Sequence, residues 1–139
     1  MGSQSYRDLI VWQKGIALCV QVYKACEAFP RNELYGLADQ MKRAAVSIPS
    51  NIAEGQARQH TKEFLHFISV AHGSLAELDT QRIIAESLHY VSAENSLQLE
   101  QRIAEIRKML YSLANKLKTE NCYFPLSKLA GSCLIYPAK

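Results

Sequence analysis

One stretch of this chain, from Leu34 to Arg58, restricts the fold more than any other. Its apolar residues return every three or four positions as Leu34, Leu37, Met41, Ala44, Ile48 and Ile52. That spacing lays them along one flank of a helix, the flank that must be buried. Beside it, at the same period, runs a second row: Gln40, Arg43, Ser47, Asn51 and Glu54. Ser and Asn are mediocre helix formers, and a solvated face is better served by Lys and Glu. A line of short polar residues therefore fits contact with another helix or another subunit. Pro49 removes one backbone donor and crowds the carbonyl of the preceding turn, at about 3 kcal/mol in a helix interior. Both rows nevertheless keep register across it, from Ile48 to Ile52 and from Ser47 to Asn51. The expectation is one helix kinked at the proline. The alternative is two shorter helices, the second capped by Ser50.

The rest of the chain supplies partners for that helix. Asp8 to Ala28 predicts a first helix with Leu9, Trp12, Ile16, Cys19, Val20, Tyr23 and Cys26 inward, stopped by Phe29-Pro30. The second begins near Glu33. After a turn from Gln56 to His60, Thr61 caps a third helix reaching about His89 through Phe64, Phe67, Ile68, Ala71, Leu75, Leu78, Ile83 and Leu88. Gly73 costs that helix about 1 kcal/mol, which predicts a neighbouring backbone close by. Ser92 caps a fourth helix, whose seam Leu99, Ile103, Ile106, Leu110, Leu113 and Leu117 steps by four and three. Such alternation is the spacing of left-handed bundle packing. Four helices of about 20 residues or more, joined by short connections, predict an all-α, antiparallel up-down-up-down four-helix bundle over residues 1–118. Residues 119–139 are apolar in Cys122-Tyr123-Phe124-Pro125 and Cys133-Leu134-Ile135-Tyr136-Pro137 but have no helical period, and read as an irregular C-terminal tail.

Composition removes several function classes. With 139 residues, 48% apolar and 21% charged, the chain is neither disordered nor membrane-spanning, and its expected location is cytoplasmic. Cys19, Cys26, Cys122 and Cys133 form no C-x-x-C pair and read as small core residues. Two Glu-x-x-His pairs, Glu63 with His66 and Glu86 with His89, invite comparison with di-iron bundles. A di-iron site needs its pairs on different helices at one level. Here both fall on the third helix, roughly 35 Å apart along its axis, so they cannot share a metal within one chain. No nucleophile signature and no glycine-rich phosphate loop is present. The expectation is a protein that is not an enzyme and carries no cofactor or metal.

A net charge of +3 is modest, but its placement matters. In the expected bundle the start of the first helix, the turn after the second and the end of the fourth meet at one end. That end collects Arg7, Arg58, His60, Lys62, Lys116 and Lys118, while Glu27, Glu33, Glu86 and Glu94 gather at the other. A basic end suits phosphate binding. Helix dipoles offer a second account, since acids at helix starts and lysines at helix ends cover Glu33, Glu94, Lys116 and Lys118 without any ligand.

Residues 6–118 resemble the four-helix-bundle proteins encoded by intervening sequences in bacterial large-subunit ribosomal RNA genes. The likeness is carried by Asp8-Leu9-Ile10-Val11-Trp12-Gln13-Lys14, by Phe29-Pro30 with Glu33-Leu34-Tyr35-Gly36-Leu37, by the block from Gln40 to Gly55, and by Gly73-Ser74-Leu75-Ala76-Glu77-Leu78. It implies a homopentamer with a central channel. It also implies kinship with the accessory variability proteins of diversity-generating retroelements, which are similar in fold and bind nucleic acid and a reverse transcriptase. Gln40, Arg43, Ser47, Asn51 and Glu54 would then face Ser74 and Glu77 or a neighbouring subunit, with Arg43 paired to Glu77. This network either orients helices or forms a ligand site. The leading expectation is a homo-oligomeric bundle that binds RNA or DNA backbone through Arg58, Lys62, Lys116 and Lys118, with Lys42 and Arg43 contributing less. An interaction scaffold for a polypeptide such as a polymerase is the alternative.

Overall fold

Periodicity and packing agree most closely in the last helix, where Leu99, Ile103, Ile106, Leu110, Leu113 and Leu117 are all buried. The computed structural model describes residues 5–119, and the regular elements among them are all helical. Two short 3-10 turns, Tyr6–Asp8 and Arg31–Glu33, precede α1 (Ile10–Cys26) and α2 (Leu37–Ala57); α3 (Thr61–Ser87) and α4 (Ala93–Thr119) follow. Each helix packs on its neighbours in the chain, and α4 closes the ring against α1. The result is an up-and-down four-helix bundle. Lys14 meets Glu105 at 2.7 Å and Gln21 meets Gln98 at 3.3 Å, so numbers rise along α1 as they fall along α4. The reading of residues 120–139 as an irregular tail lies outside the described residues.

α2 is continuous through Pro49, which excludes two helices broken at that point. Around the proline, Ser50 Oγ donates to the Val46 carbonyl at 2.8 Å, and Asn51 Nδ2 to that of Ser47 at 2.7 Å. Met41, Ala44, Ile48 and Ile52 are buried as their spacing predicts. Leu34 is exposed instead, because the chain before Gly36 forms a 3-10 turn and the α-helix starts only at Leu37. That start is held by the Glu33 carboxylate, which accepts from the Leu37 N–H at 2.9 Å.

The inward face of α1 differs from the expected one. Val11, Gly15, Leu18, Val22 and Cys26 are buried, while Ile16, Val20 and Tyr23 are 40%, 50% and 45% exposed. The helix is apolar on two flanks, so the period alone admits either. Gly15 decides between them: a Cβ built there would sit 3.3 Å from Pro49 Cβ, and the missing side chain lets α1 close on the proline of α2. Cys26 donates weakly to the Ala38 carbonyl at 3.8 Å, and burial pushes its thiol up to about 11 against the opposing charge of Lys42.

In α3, Phe64, Ile68, Ala71, Leu75 and Leu78 are buried and Phe67 is half-buried, but Ile83 and Leu88 are exposed. Arg82 continues the four-and-three spacing of Phe64, Ile68, Ala71, Leu75, Leu78 and Ala85 and is buried with them, whereas Ile83 falls one position off that flank and faces outward. His60, not Thr61, is the N-cap, and the helix ends at Ser87 before a left-handed His89. Gly73 has no atom within 4 Å of a built Cβ, so the close approach expected there is absent among the described residues. Gly55 is the tight position instead, where a Cβ would lie 2.7 Å from Phe67 Cβ and 2.8 Å from Phe64 Cδ2. Ser92 Oγ does accept from the Asn95 N–H at 3.2 Å as the cap of α4.

Candidate nucleic-acid interface

From Ile106 to Thr119 the last helix contains Arg107, Lys108, Lys116 and Lys118 and not one acid. Helical period sorts these cations. Arg107 faces α3, where its Nη2 lies 3.5 Å from Asp79 Oδ2. Tyr111 follows one turn later and Lys118 two turns beyond that on the same flank, with Lys108 pointing further outward. Lys116 falls instead on the flank of Glu105 and Gln98, which meet α1. Opposite, the half-buried His72 stands on α3, whose first turn carries the exposed Lys62. Among the described residues Lys62, Lys108, Lys116 and Lys118 take part in no ion pair.

His72, Arg107, Lys108, Tyr111 and Ser112 line an open pocket of about 610 Å³ on this seam. Burial first, and then the Arg107 charge, lower the pKa of His72, so its imidazole is neutral at pH 7. Tyr111 is 66% exposed. It has no hydrogen bond or ring partner among the described residues. Sequence reasoning overlooked these five residues because it sought charge at the end of the bundle. The signal was present in the acid-free run of α4.

Other expected phosphate ligands are already engaged. Arg58 Nη2 lies 3.0 Å from Glu54 Oε1 and its Nη1 3.9 Å from Glu63 Oε1, with the guanidinium 5.7 Å from the Phe67 ring centre. The ammonium of Lys42 sits 5.2 Å from the Tyr23 ring centre. Arg43 pairs with Asp39 at 3.0 Å, not with Glu77, since a partner one turn back on its own helix needs no reach across to α3. Glu77 accepts instead from Gln81 at 3.2 Å.

The polar row of α2 does meet α3 at its centre. Ser47 and Ser74 hydroxyls are 2.8 Å apart, Asn51 Nδ2 donates to Ser47 Oγ at 2.9 Å, and Ser74 Oγ to the Val70 carbonyl at 3.2 Å. Gln40 and Glu54 are exposed. Each polar atom of this serine pair is matched by another within the chain, as in a network that orients two helices.

Further along the α3–α4 seam lies a denser set of charges. Arg82, only 5% exposed, donates to Asp79 Oδ1 at 2.9 Å from Nε, and from Nη1 to Ser96 Oγ at 2.7 Å and Glu86 Oε2 at 3.4 Å. Ser96 Oγ in turn donates to Glu86 through a short hydrogen bond. The spacing Asp79, Arg82, Glu86 is the sequence trace of this cluster. Among the described residues no group of three or more His, Cys, Asp or Glu side chains could hold a metal ion, and no helix is long and apolar enough to cross a membrane.

An up-and-down bundle whose α3–α4 seam is cationic and aromatic in one half and internally neutralised in the other is thus the class of protein defined by fold and surface. The family model described as 23S rRNA-intervening sequence protein matches residues 7–112, and the chain belongs to that family. Among solved structures it is similar to a protein of unknown function from the S23 ribosomal protein family of Bacteroides thetaiotaomicron. The two share 20% identity and superpose with a TM-score of 0.70, over 76% of this chain and 98% of the other, a likeness in fold. No curated protein matches.

Proposed function

We propose that this chain is a non-enzymatic bundle that binds the phosphate backbone of RNA or DNA along the α3–α4 seam. The observation that carries the reading is the second half of α4, where four cations occur with no acid between them. Lys108 and Lys118, with the exposed Lys62 at the start of α3, are the principal phosphate ligands. Arg58 contributes less, because Glu54 and Glu63 already offset its charge. Backbone binding releases counterions, so log affinity falls with log salt by about 0.9 per phosphate contact on a duplex and about 0.7 on a single strand. Anisotropy titrations of mixed-sequence RNA and DNA at several salt concentrations test this. The paired change Lys108→Glu with Lys118→Glu should weaken binding and flatten the slope. Absent or salt-insensitive binding by the wild type defeats the reading.

Self-association is a second reading, favoured by the exposed flank of α1. Ile16, Val20 and Tyr23 form an apolar stripe, and Val46 of α2 stands one turn from the Lys42 that covers Tyr23. We infer that copies of the chain meet across this stripe, with five as the number implied by the likeness to pentameric bundles. Light scattering should give a multiple of 15.6 kDa that Val20→Glu reduces to a single chain. A wild type that runs as one chain rejects self-association and leaves the stripe to a polypeptide partner.

A further inference from the structure

Phosphate contacts account for the lysines of the seam but not for the pocket between them. A surface built only to meet backbone charge has no use for an exposed aromatic ring, yet Tyr111 is 66% exposed and stands between cations. Among the described residues Arg107 keeps most of its guanidinium donors open, since its one ion pair there, to Asp79, is a single contact at 3.5 Å. Ser112 offers a hydroxyl that both donates and accepts, and the neutral His72 likewise has one nitrogen of each kind. The cavity, about 610 Å³, is within the span of about 300–1,000 Å³ usual for ligand pockets.

Resting on the backbone-binding reading above, we propose that this pocket takes one unpaired nucleotide of a single-stranded nucleic acid. The base lies on the Tyr111 ring, its phosphate between Arg107 and Lys108, and its edge toward Ser112 and His72. Bases inside a duplex have both faces covered by their neighbours, so only an unpaired base can stack on a protein ring. Every base has such a face, and stacking is therefore tolerant of sequence. Pure charge attraction predicts the opposite preference, because a duplex carries the denser line of phosphates. Strand preference thus separates the two contributions.

The test uses the full chain, an end-labelled mixed-sequence single strand, and the duplex it forms with its complement. At one salt concentration the single strand should bind more tightly. Tyr111→Leu should weaken single-strand binding about fivefold or more and leave duplex binding unchanged, while Tyr111→Phe keeps the ring and the affinity. Because Tyr111 is exposed, each variant is expected to fold, with circular dichroism as the check. Salt-dependent binding with no strand preference and no effect of Tyr111→Leu overturns the pocket and spares the backbone reading. Absence of salt-dependent binding to either nucleic acid removes the backbone reading and this inference with it.

Discussion

The two halves of the α3–α4 seam use charge in opposite ways. Toward the α3–α4 connection, Arg82 is surrounded by Asp79, Glu86 and Ser96, with Glu100 at 3.9 Å. Toward the other end, Lys62 of α3 and Lys108 and Lys118 of α4 form no ion pair among the described residues. Charge that is buried and matched inside the chain orients helices and answers to no ligand. Exposed charge of one sign, left without partners, leaves a field that something else must satisfy. A buried cation is therefore weak evidence for function here, and the unremarkable surface lysines are the stronger evidence.

The sharpest way to break this comparison is at Arg82. Arg82→Ala removes several charge-assisted hydrogen bonds at once and should cost about 2–4 kcal/mol in denaturant unfolding, while Asp79 keeps Arg107, Glu86 keeps Ser96, and both carboxylates remain partly open to water. Nucleic-acid affinity of the fraction still folded should not change. Loss of binding without loss of stability would reverse the roles assigned to the two halves.

A smaller loss is expected at Gly55, which holds the early part of α3 by close packing, with no charge involved. Gly55→Ala drives a methyl into Phe64 and Phe67 and should destabilise by about 1–3 kcal/mol, read from the unfolding midpoint. Between the two halves, Gly73 opens onto empty space. There Gly73→Ala should stabilise the chain by up to about 1 kcal/mol through helix propensity alone. If that variant instead lowers the mass in solution, a second copy packs against the glycine.

The smallest effect concerns His72. Its pKa is lowered from the ordinary 6.5 by burial and then by Arg107, so below 6.5 the unfolded chain takes up a proton that the folded one resists. Its contribution is present above pH 6.5 and is lost as pH falls through that value toward the lower folded one. The stability difference between wild type and His72→Gln should shrink over that window, and a difference that is flat with pH would show that His72 is not held neutral.

How far the sequence could be read differs from helix to helix. α4 was legible because its apolar residues occupy one flank and polar ones the other, so the seam from Leu99 to Leu117 admits a single orientation. α1 was not, because apolar residues occupy two flanks and the period is satisfied by either. Of the expected phosphate ligands, Lys118 falls on the flank of Arg107 and Lys62 stands exposed at the start of α3. Arg58 lost weight once Glu54 and Glu63 were seen beside it, a relation that depends on how the α2–α3 turn folds back.

By itself, then, the order of residues determined four helices and the buried flanks of α2 and α4, while it left open whether α2 runs unbroken through Pro49 and whether its polar row meets α3 or another subunit. Tertiary structure alone decided which side of α1 is hidden, that Arg82 lies inside and Ile83 outside, and that Tyr111 stands open beside Arg107. The physical reason is common to all three. Periodicity says that a face must be covered, but what covers it is a contact between distant parts of the chain. At Gly15 that contact is with Pro49 of α2, and at Arg82 it is with Ser96 of α4, beside Asp79 and Glu86.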